Sequence, residues 1–142
     1  MGLNTGYPRH IQDSLLDGLG LGSLVDHSIS AAEVSAGRPA PFMVHRLMEA
    51  ANVTDVAQVA KAGDTINDVL EGRNAGCGLV IGVSSGADSE MDLWAAGADI
   101  VVPNITAIKV EWLRCYQPEA DEELALEHER VMPAYRRSSF SG

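Results

Sequence analysis

Lys61-Ala62-Gly63-Asp64-Thr65-Ile66-Asn67-Asp68-Val69-Leu70-Glu71-Gly72-Arg73-Asn74-Ala75-Gly76 is the stretch whose reading decides the fold. Small and apolar residues from Val59 to Gly63 predict a buried strand end, Thr65 an N-cap, and Ile66 to Ala75 a helix closed by Gly76. Asp64 then falls at the carboxyl end of the strand and Asp68 in the first helical turn, at the crevice where open α/β sheets bind ligands. Two carboxylates so placed can hold a hard cation such as Mg²⁺, with substrate phosphate oxygens completing its shell. The run Thr65-Ile66-Asn67-Asp68 equally fits a capping box, in which Asp68 satisfies backbone N–H groups at the helix start. Lys61, on an otherwise small and apolar strand, needs a buried carboxylate partner or a route outward, and can supplement a cationic phosphate grip.

Outward from this stretch, strand-like and helix-like segments alternate, which predicts an α/β fold with a parallel sheet and helices on both faces. Strands are expected at about residues 1–4, Leu24 to His27, Gln58 to Gly63, Gly78 to Val83 and Asp99 to Val102. A helix from Pro8 to Leu19 would bury Ile11, Leu15, Leu16 and Leu19; one from Pro41 to Ala51 would bury Met43, Val44, Leu47, Met48 and Ala51. Ser30-Ala31-Ala32-Glu33 is a capping-box sequence for a single turn, and Ser89 to Ala96 a further helix stopped by Gly97. Ala107 to Tyr116 reads as a final helix. From Gln117 onward the chain is acidic, with Leu124 and Leu126 the only large apolar residues between Glu119 and Glu129, so 117–142 is expected to be a flexible tail after a domain spanning 1–116.

The 142 residues carry a formal charge of −10, which argues against nucleic acid or an anionic membrane as partner, since both demand a basic face. With 46% hydrophobic residues the chain can build a core, yet it has no apolar run long enough to span a bilayer and no signal-peptide pattern, so a cytoplasmic location is expected. Cys77 and Cys115 have no metal-type spacing, and Cys77 after the Gly76 cap suits a buried thiol. His10, His27, His45 and His128 are scattered and form no ligand set.

The Gly63-Asp64 to Asp68 pair resembles the fourth motif of the haloacid dehalogenase (HAD) superfamily of hydrolases. Gly37-Arg38-Pro39-Ala40-Pro41 resembles the third motif in the form typical of the phosphonoacetaldehyde hydrolase, or phosphonatase, branch, with Arg where most relatives have Lys. Leu3-Asn4-Thr5-Gly6-Tyr7 resembles the second, and Gly72-Arg73-Asn74-Ala75-Gly76 and Gly82-Val83-Ser84-Ser85-Gly86-Ala87 match further landmarks of that branch. The similarity covers about residues 3–104, with the motifs in order and spacing.

The resemblance implies a HAD-like Rossmannoid three-layer sandwich and phosphoryl transfer through an aspartyl-phosphate. It implies Thr5 and Gly6 as phosphoryl hydrogen-bond donors, Arg38 as electrostatic clamp, and Asp64 and Asp68 as Mg²⁺ ligands, Asp68 alternatively as support. The family's nucleophile is the first Asp of an Asp-x-Asp motif on the central strand, followed by a cap domain. No Asp-x-Asp occurs in these 142 residues, and Asp13, Asp17 and Asp26 lie in or beyond a helix where none is a convincing replacement. The sheet is therefore expected to lack its central strand, with unpaired edges open to self-association. The substrate class is a phosphate ester or a phosphonate, which phosphonatases cleave with the help of a cap lysine. Three functional classes follow: the carboxyl-terminal part of a phosphonatase-like hydrolase core, inactive by itself; a non-catalytic phosphate- or metal-binding or interaction module; and, with less support, a receiver-like phosphoacceptor domain.

Overall fold

The computed structural model describes residues 1–109. The chain forms β1 (Gly2–Thr5), α1 (Arg9–Gly18), β2 (His27–Ser30), a 3-10 turn (Ala31–Glu33), α2 (Phe42–Ala50), a 3-10 turn (Val56–Gln58), β3 (Ala60–Gly63), α3 (Ile66–Ala75), β4 (Leu79–Val83), α4 (Glu90–Ala95), β5 (Ile100–Val102) and a 3-10 turn (Ile105–Ala107). Every strand pair is parallel, as an α/β alternation requires. The strands nevertheless make two sheets, β1–β2 and β3–β4–β5. Among the described residues no backbone ladder joins β1 to β3, so each keeps one open edge.

The expected helix on Ile66 to Ala75 is present with both halves of its capping box and with Gly76 at φ 85° as its left-handed C-cap. Strand faces of the larger sheet alternate as a pleat demands. Val80 and Val101 face Val44 of α2, Val69 and Ala75 of α3 and Leu93 of α4. Leu79, Ile81, Val83, Ile100 and Val102 form a second cluster with Ala62, Ala107 and Ile108. Each such buried aliphatic side chain contributes about 1.5–3 kcal/mol, which makes this sheet the stable part of the molecule. Cys77 lies in the first cluster, where burial pushes its thiol up to about 11 against the opposing pull of Lys61, leaving it protonated and inert.

Several sequence expectations are corrected. The second strand is His27–Ser30 rather than 24–27, because Asp26 and His27 both donate backbone N–H to the Met1 carbonyl and pairing with β1 begins there; Leu24 sits in a turn, exposed. Residues 56–58 form a turn capped by the Asp55 carboxylate, so β3 starts at Ala60. Pro41 is the N-cap of α2 rather than its first helical residue, and Ala51 lies exposed at the far end while Met43 and Val44 carry the burial. Ala107 ends a 3-10 turn and Ile108 is extended, so no helix begins there; the remainder of that expected helix and the tail lie outside the described residues.

The largest departure is α1. Ile11, Leu15 and Leu19 remain exposed, and Gln12 is the helix's buried residue, its Nε2 donating to the Ile29 carbonyl at 3.5 Å. The helix is held by its polar start: Ser30 Oγ donates to the Tyr7 carbonyl at 2.7 Å and Arg9 Nη1 to Glu33 Oε1 at 2.9 Å. These bonds set its rotation, and a two-stranded sheet offers too little surface to draw the apolar stripe inward.

Open edges on β1 and β3 are prone to adding another strand, and Leu3, Tyr7, Ile11, Leu15 and Leu19 are exposed apolar surface. The isolated chain is expected to sediment as species larger than its 15.1 kDa monomer and to bind a hydrophobic dye in its native state. A monodisperse monomer that leaves the dye dark would show that these edges are covered.

Candidate functional site

β1 ends in the Thr5-Gly6 turn, where Thr5 Oγ1 accepts the backbone N–H of Tyr7 at 3.1 Å. Gly37 to Pro41 form the loop that enters α2, tied by Ala40 N–H to the Gly37 carbonyl at 3.0 Å and by Asn74 Nδ2 to the Pro39 carbonyl at 2.8 Å. From this loop the Arg38 guanidinium reaches across to the first turn of α3, where Nη1 donates to Asp68 Oδ1 at 2.5 Å. Its Nη2 lies 3.9 Å from where a Cβ on Gly6 would stand, so the Thr5 turn and Arg38 are neighbours although 33 residues separate them in sequence. The Arg38 side chain keeps 21% of its surface open while Asp68 keeps 3%, so the cation is the accessible member of the pair.

Asp68 is a hub. Its Oδ1 accepts from Arg38 Nη1 and from Lys61 Nζ at 2.9 Å; its Oδ2 accepts from the Thr65 backbone N–H at 3.2 Å and the Thr65 hydroxyl at 2.7 Å. Burial pushes this carboxyl up, but the Lys61 ammonium, the Thr65 hydroxyl and Arg38 together outweigh it and hold Asp68 below the ordinary carboxylate range. The structure thus couples Asp68 to Arg38 and forms the capping box as well. Gly63 is obligatory here, since a Cβ on it would collide with the Asp68 side chain.

Lys61, 8% exposed, donates to Asn4 Oδ1 (3.0 Å) and Asp68 Oδ1 (2.9 Å) and forms an ion pair with Glu71 Oε2 at 3.1 Å. It is a buried structural cation, whereas the Arg38 side chain keeps part of its surface open. Glu71 is fully buried and its Oε2 also accepts from Asn4 Nδ2 at 2.8 Å. Asn4 and Glu71 are the site residues that sequence reasoning left unassigned. The available signal was spacing: Glu71 follows Asp68 by three residues and so shares its helix face.

Asp64 stands apart from this cluster at the end of β3. Its Oδ2 accepts the Ala87 backbone N–H at 3.0 Å and its carbonyl accepts from Asp88 at 3.1 Å, while Asp88 Oδ2 caps Ile66 N–H at 2.6 Å. Gly86 leaves the space that the Asp64 carboxylate fills. Asp64 Oδ1 makes no hydrogen bond among the described residues, so it suits one ligand position of a hard cation. Among the described residues there is no group of three His, Cys, Asp or Glu able to hold a metal.

A family model for haloacid dehalogenase-like hydrolase matches residues 1–76, more than half of the chain. The chain belongs to this hydrolase family. It is 34% identical over 115 residues to phosphonoacetaldehyde hydrolase of Latilactobacillus sakei, covering 66% of this chain and 43% of that one. It is 33% identical over 117 residues to the Bacteroides fragilis phosphonoacetaldehyde hydrolase, covering 80% and 44%. In fold it matches a phosphonoacetaldehyde hydrolase-like protein from Oleispira antarctica with a TM-score of 0.70 at 24% identity, over 81% of this chain and 50% of that one. The chain thus spans less than half the length of these two curated relatives. The HAD-like α/β fold and the phosphonatase-like kinship expected from the motifs are both present. Among the described residues no helix is long and apolar enough to cross a membrane.

The depressed Asp68 carboxyl contributes stability that is present above its unfolded value of 3.8 and is lost as pH falls through its lower folded value. Asp68→Asn, which leaves buried Lys61 and Arg38 without their shared anion, is expected to cost about 3–5 kcal/mol at neutral pH. The gap between variant and parent should close as the solution is acidified below that value. Chemical denaturation of both proteins from neutral to strongly acidic pH measures it; a pH-independent gap would show that charge at Asp68 is immaterial.

Proposed function

We propose that this chain is the phosphoryl-binding portion of a phosphonatase-like hydrolase whose complete form cleaves a phosphate ester or a phosphonate through an aspartyl-phosphate. One observation carries the reading. The Arg38 guanidinium is held by Asp68 through Nη1, has Nη2 beside the Thr5-Gly6 turn, and keeps part of its surface open. A planar cation pinned in this way meets a phosphoryl group with its donors already oriented, which makes it worth more than a free surface arginine. Thr5 and Gly6 supply a hydroxyl and a backbone N–H on the same side. The names of the curated relatives favour a phosphonate among anionic substrates.

Mg²⁺ belongs to this reading as a Lewis acid that neutralises phosphoryl oxygens, with Asp64 as its protein ligand here and Asp68 as the support that orients Arg38. The net charge of −10 argues against nucleic acid or an anionic membrane as partner, while the local positive charge of Arg38 accommodates a small anionic substrate; a cytoplasmic setting accompanies this reading. The sequence holds no Asp-x-Asp, so the 142 residues alone can bind a phosphoryl group without forming the covalent intermediate. That same observation favours, as the second reading, a non-catalytic phosphate-binding module.

Calorimetric titration with inorganic phosphate is expected to show weak binding, on the order of millimolar. Arg38→Ala should weaken it about tenfold or more, the loss of a charged hydrogen bond. Undiminished binding in Arg38→Ala would overturn the site. Steady hydrolysis of a generic phosphate ester by the pure chain, abolished in Asp64→Asn, would overturn the assignment of the nucleophile to a segment this sequence lacks.

A further inference from the structure

The two sides of the crevice sit on different sheets. Thr5 and Gly6 end β1, while Asp64 and Asp68 follow β3, and no backbone ladder between these strands sets their spacing among the described residues. Besides α2, which packs on both units, a closed triangle of side chains spans the interval. Lys61 of β3 donates to Asn4 Oδ1 of β1 at 3.0 Å, Asn4 Nδ2 donates to Glu71 Oε2 of α3 at 2.8 Å, and Lys61 pairs with that same Glu71 oxygen at 3.1 Å. Both atoms of the Asn4 amide are used, so its orientation is determined, and Asn4 is bonded directly to Thr5.

Glu71 is an odd residue to bury for stability alone. It is wholly inaccessible, and its second oxygen, Oε1, has no hydrogen-bond partner among the described residues. An apolar side chain of similar volume would avoid that uncompensated burial. Lys61 would keep Asp68, but Asp68 is shared with Arg38, so Glu71 is the second anion of a cluster with two cations. Beyond that charge balance, Glu71 reaches across to β1 through Asn4.

We propose that Asn4 and Glu71 form a buried register clamp that sets the distance from the Thr5-Gly6 turn to Arg38 and Asp68, making Glu71 a positioning residue for anion binding. This rests on the phosphoryl-binding reading above. Glu71 touches no ligand; it acts through Asn4 on one side and through Lys61 and Asp68 on the other. The clamp also separates two physical effects of opposite sign. Removing the Glu71 charge leaves the crevice more positive, which by electrostatics alone tightens anion binding; losing register loosens it.

The test compares Glu71→Leu with Glu71→Gln in phosphate titrations and in amide NMR spectra of the ligand-free chain. Glu71→Leu, without an acceptor, is expected to bind phosphate about tenfold more weakly, the loss of a hydrogen-bonded geometry, and to displace the Thr5 and Gly6 amide signals. Glu71→Gln keeps an acceptor for Asn4 and Lys61 and is expected to stay within about twofold of the parent in affinity, with those signals in place. Folded Glu71→Leu that binds phosphate equally or more tightly, with Thr5 and Gly6 unmoved, would overturn the clamp. Should Glu71→Leu fail to fold, Asn4→Asp against Asn4→Asp with Glu71→Gln decides: the single variant opposes two carboxylates, and the double restores the bond with donor and acceptor exchanged. Failure of the double to return the Thr5 and Gly6 signals also overturns it. A parent chain that binds no phosphate would refute the functional reading, while the ligand-free spectra still decide the clamp.

Discussion

The carboxylate of Asp68 is the constraint on which the site depends. Four donors converge on it from three parts of the chain: the loop before α2, strand β3 and the cap of α3. Because those donors include two cations in a nearly inaccessible place, the carboxylate stays ionised despite its burial, and each cation is held in one geometry. Buried ion pairs of this kind are poor contributors to net stability, since desolvation offsets most of the attraction. Their effect is to exclude other arrangements. Arg38 is tied to Asp68 while part of its side chain stays open.

The division of labour among the charged groups follows from how many partners each has. Lys61 is buried and committed to Asn4, Asp68 and Glu71. Arg38 has five N–H donors in principle and spends one of its guanidinium nitrogens on Asp68. Asp64, bonded through one oxygen to the loop containing Gly86, retains the other. Satisfied groups build the scaffold, and partly satisfied groups beside solvent are those able to act on a ligand.

The split of the sheet explains why the amino-terminal unit is so differently packed from the rest. β4 and β5 carry apolar side chains on both faces and are wholly buried. β1 and β2 have one strand neighbour each, and α1 packs on β2 with Leu15 and Leu19 exposed. Polar links, namely the Glu33 capping box, Arg9 and the Asn4–Glu71–Lys61 triangle, supplement the packing of α2 on this unit. Directional bonds specify a position without requiring a wide interface.

Local order was legible in the residues themselves. The helix from Ile66 to Ala75, its Thr65 cap, its Gly76 stop and the capping box at Ser30 all depend on contacts within a few positions, and so appear in the sequence as spacing. The motifs at Thr5-Gly6, Arg38 and Asp64 were legible for the same reason, as were the family and the parallel α/β class. Partnership across the chain was not. That Lys61 is committed to buried partners, that Asp68 serves Arg38, that Asn4 meets Glu71 across 67 residues, and that α1 buries Gln12 instead of its leucines depend on which strands lie side by side and how far apart. Helical and strand periodicity report which face of an element is apolar, but what stands opposite that face is settled only when the sheets pack.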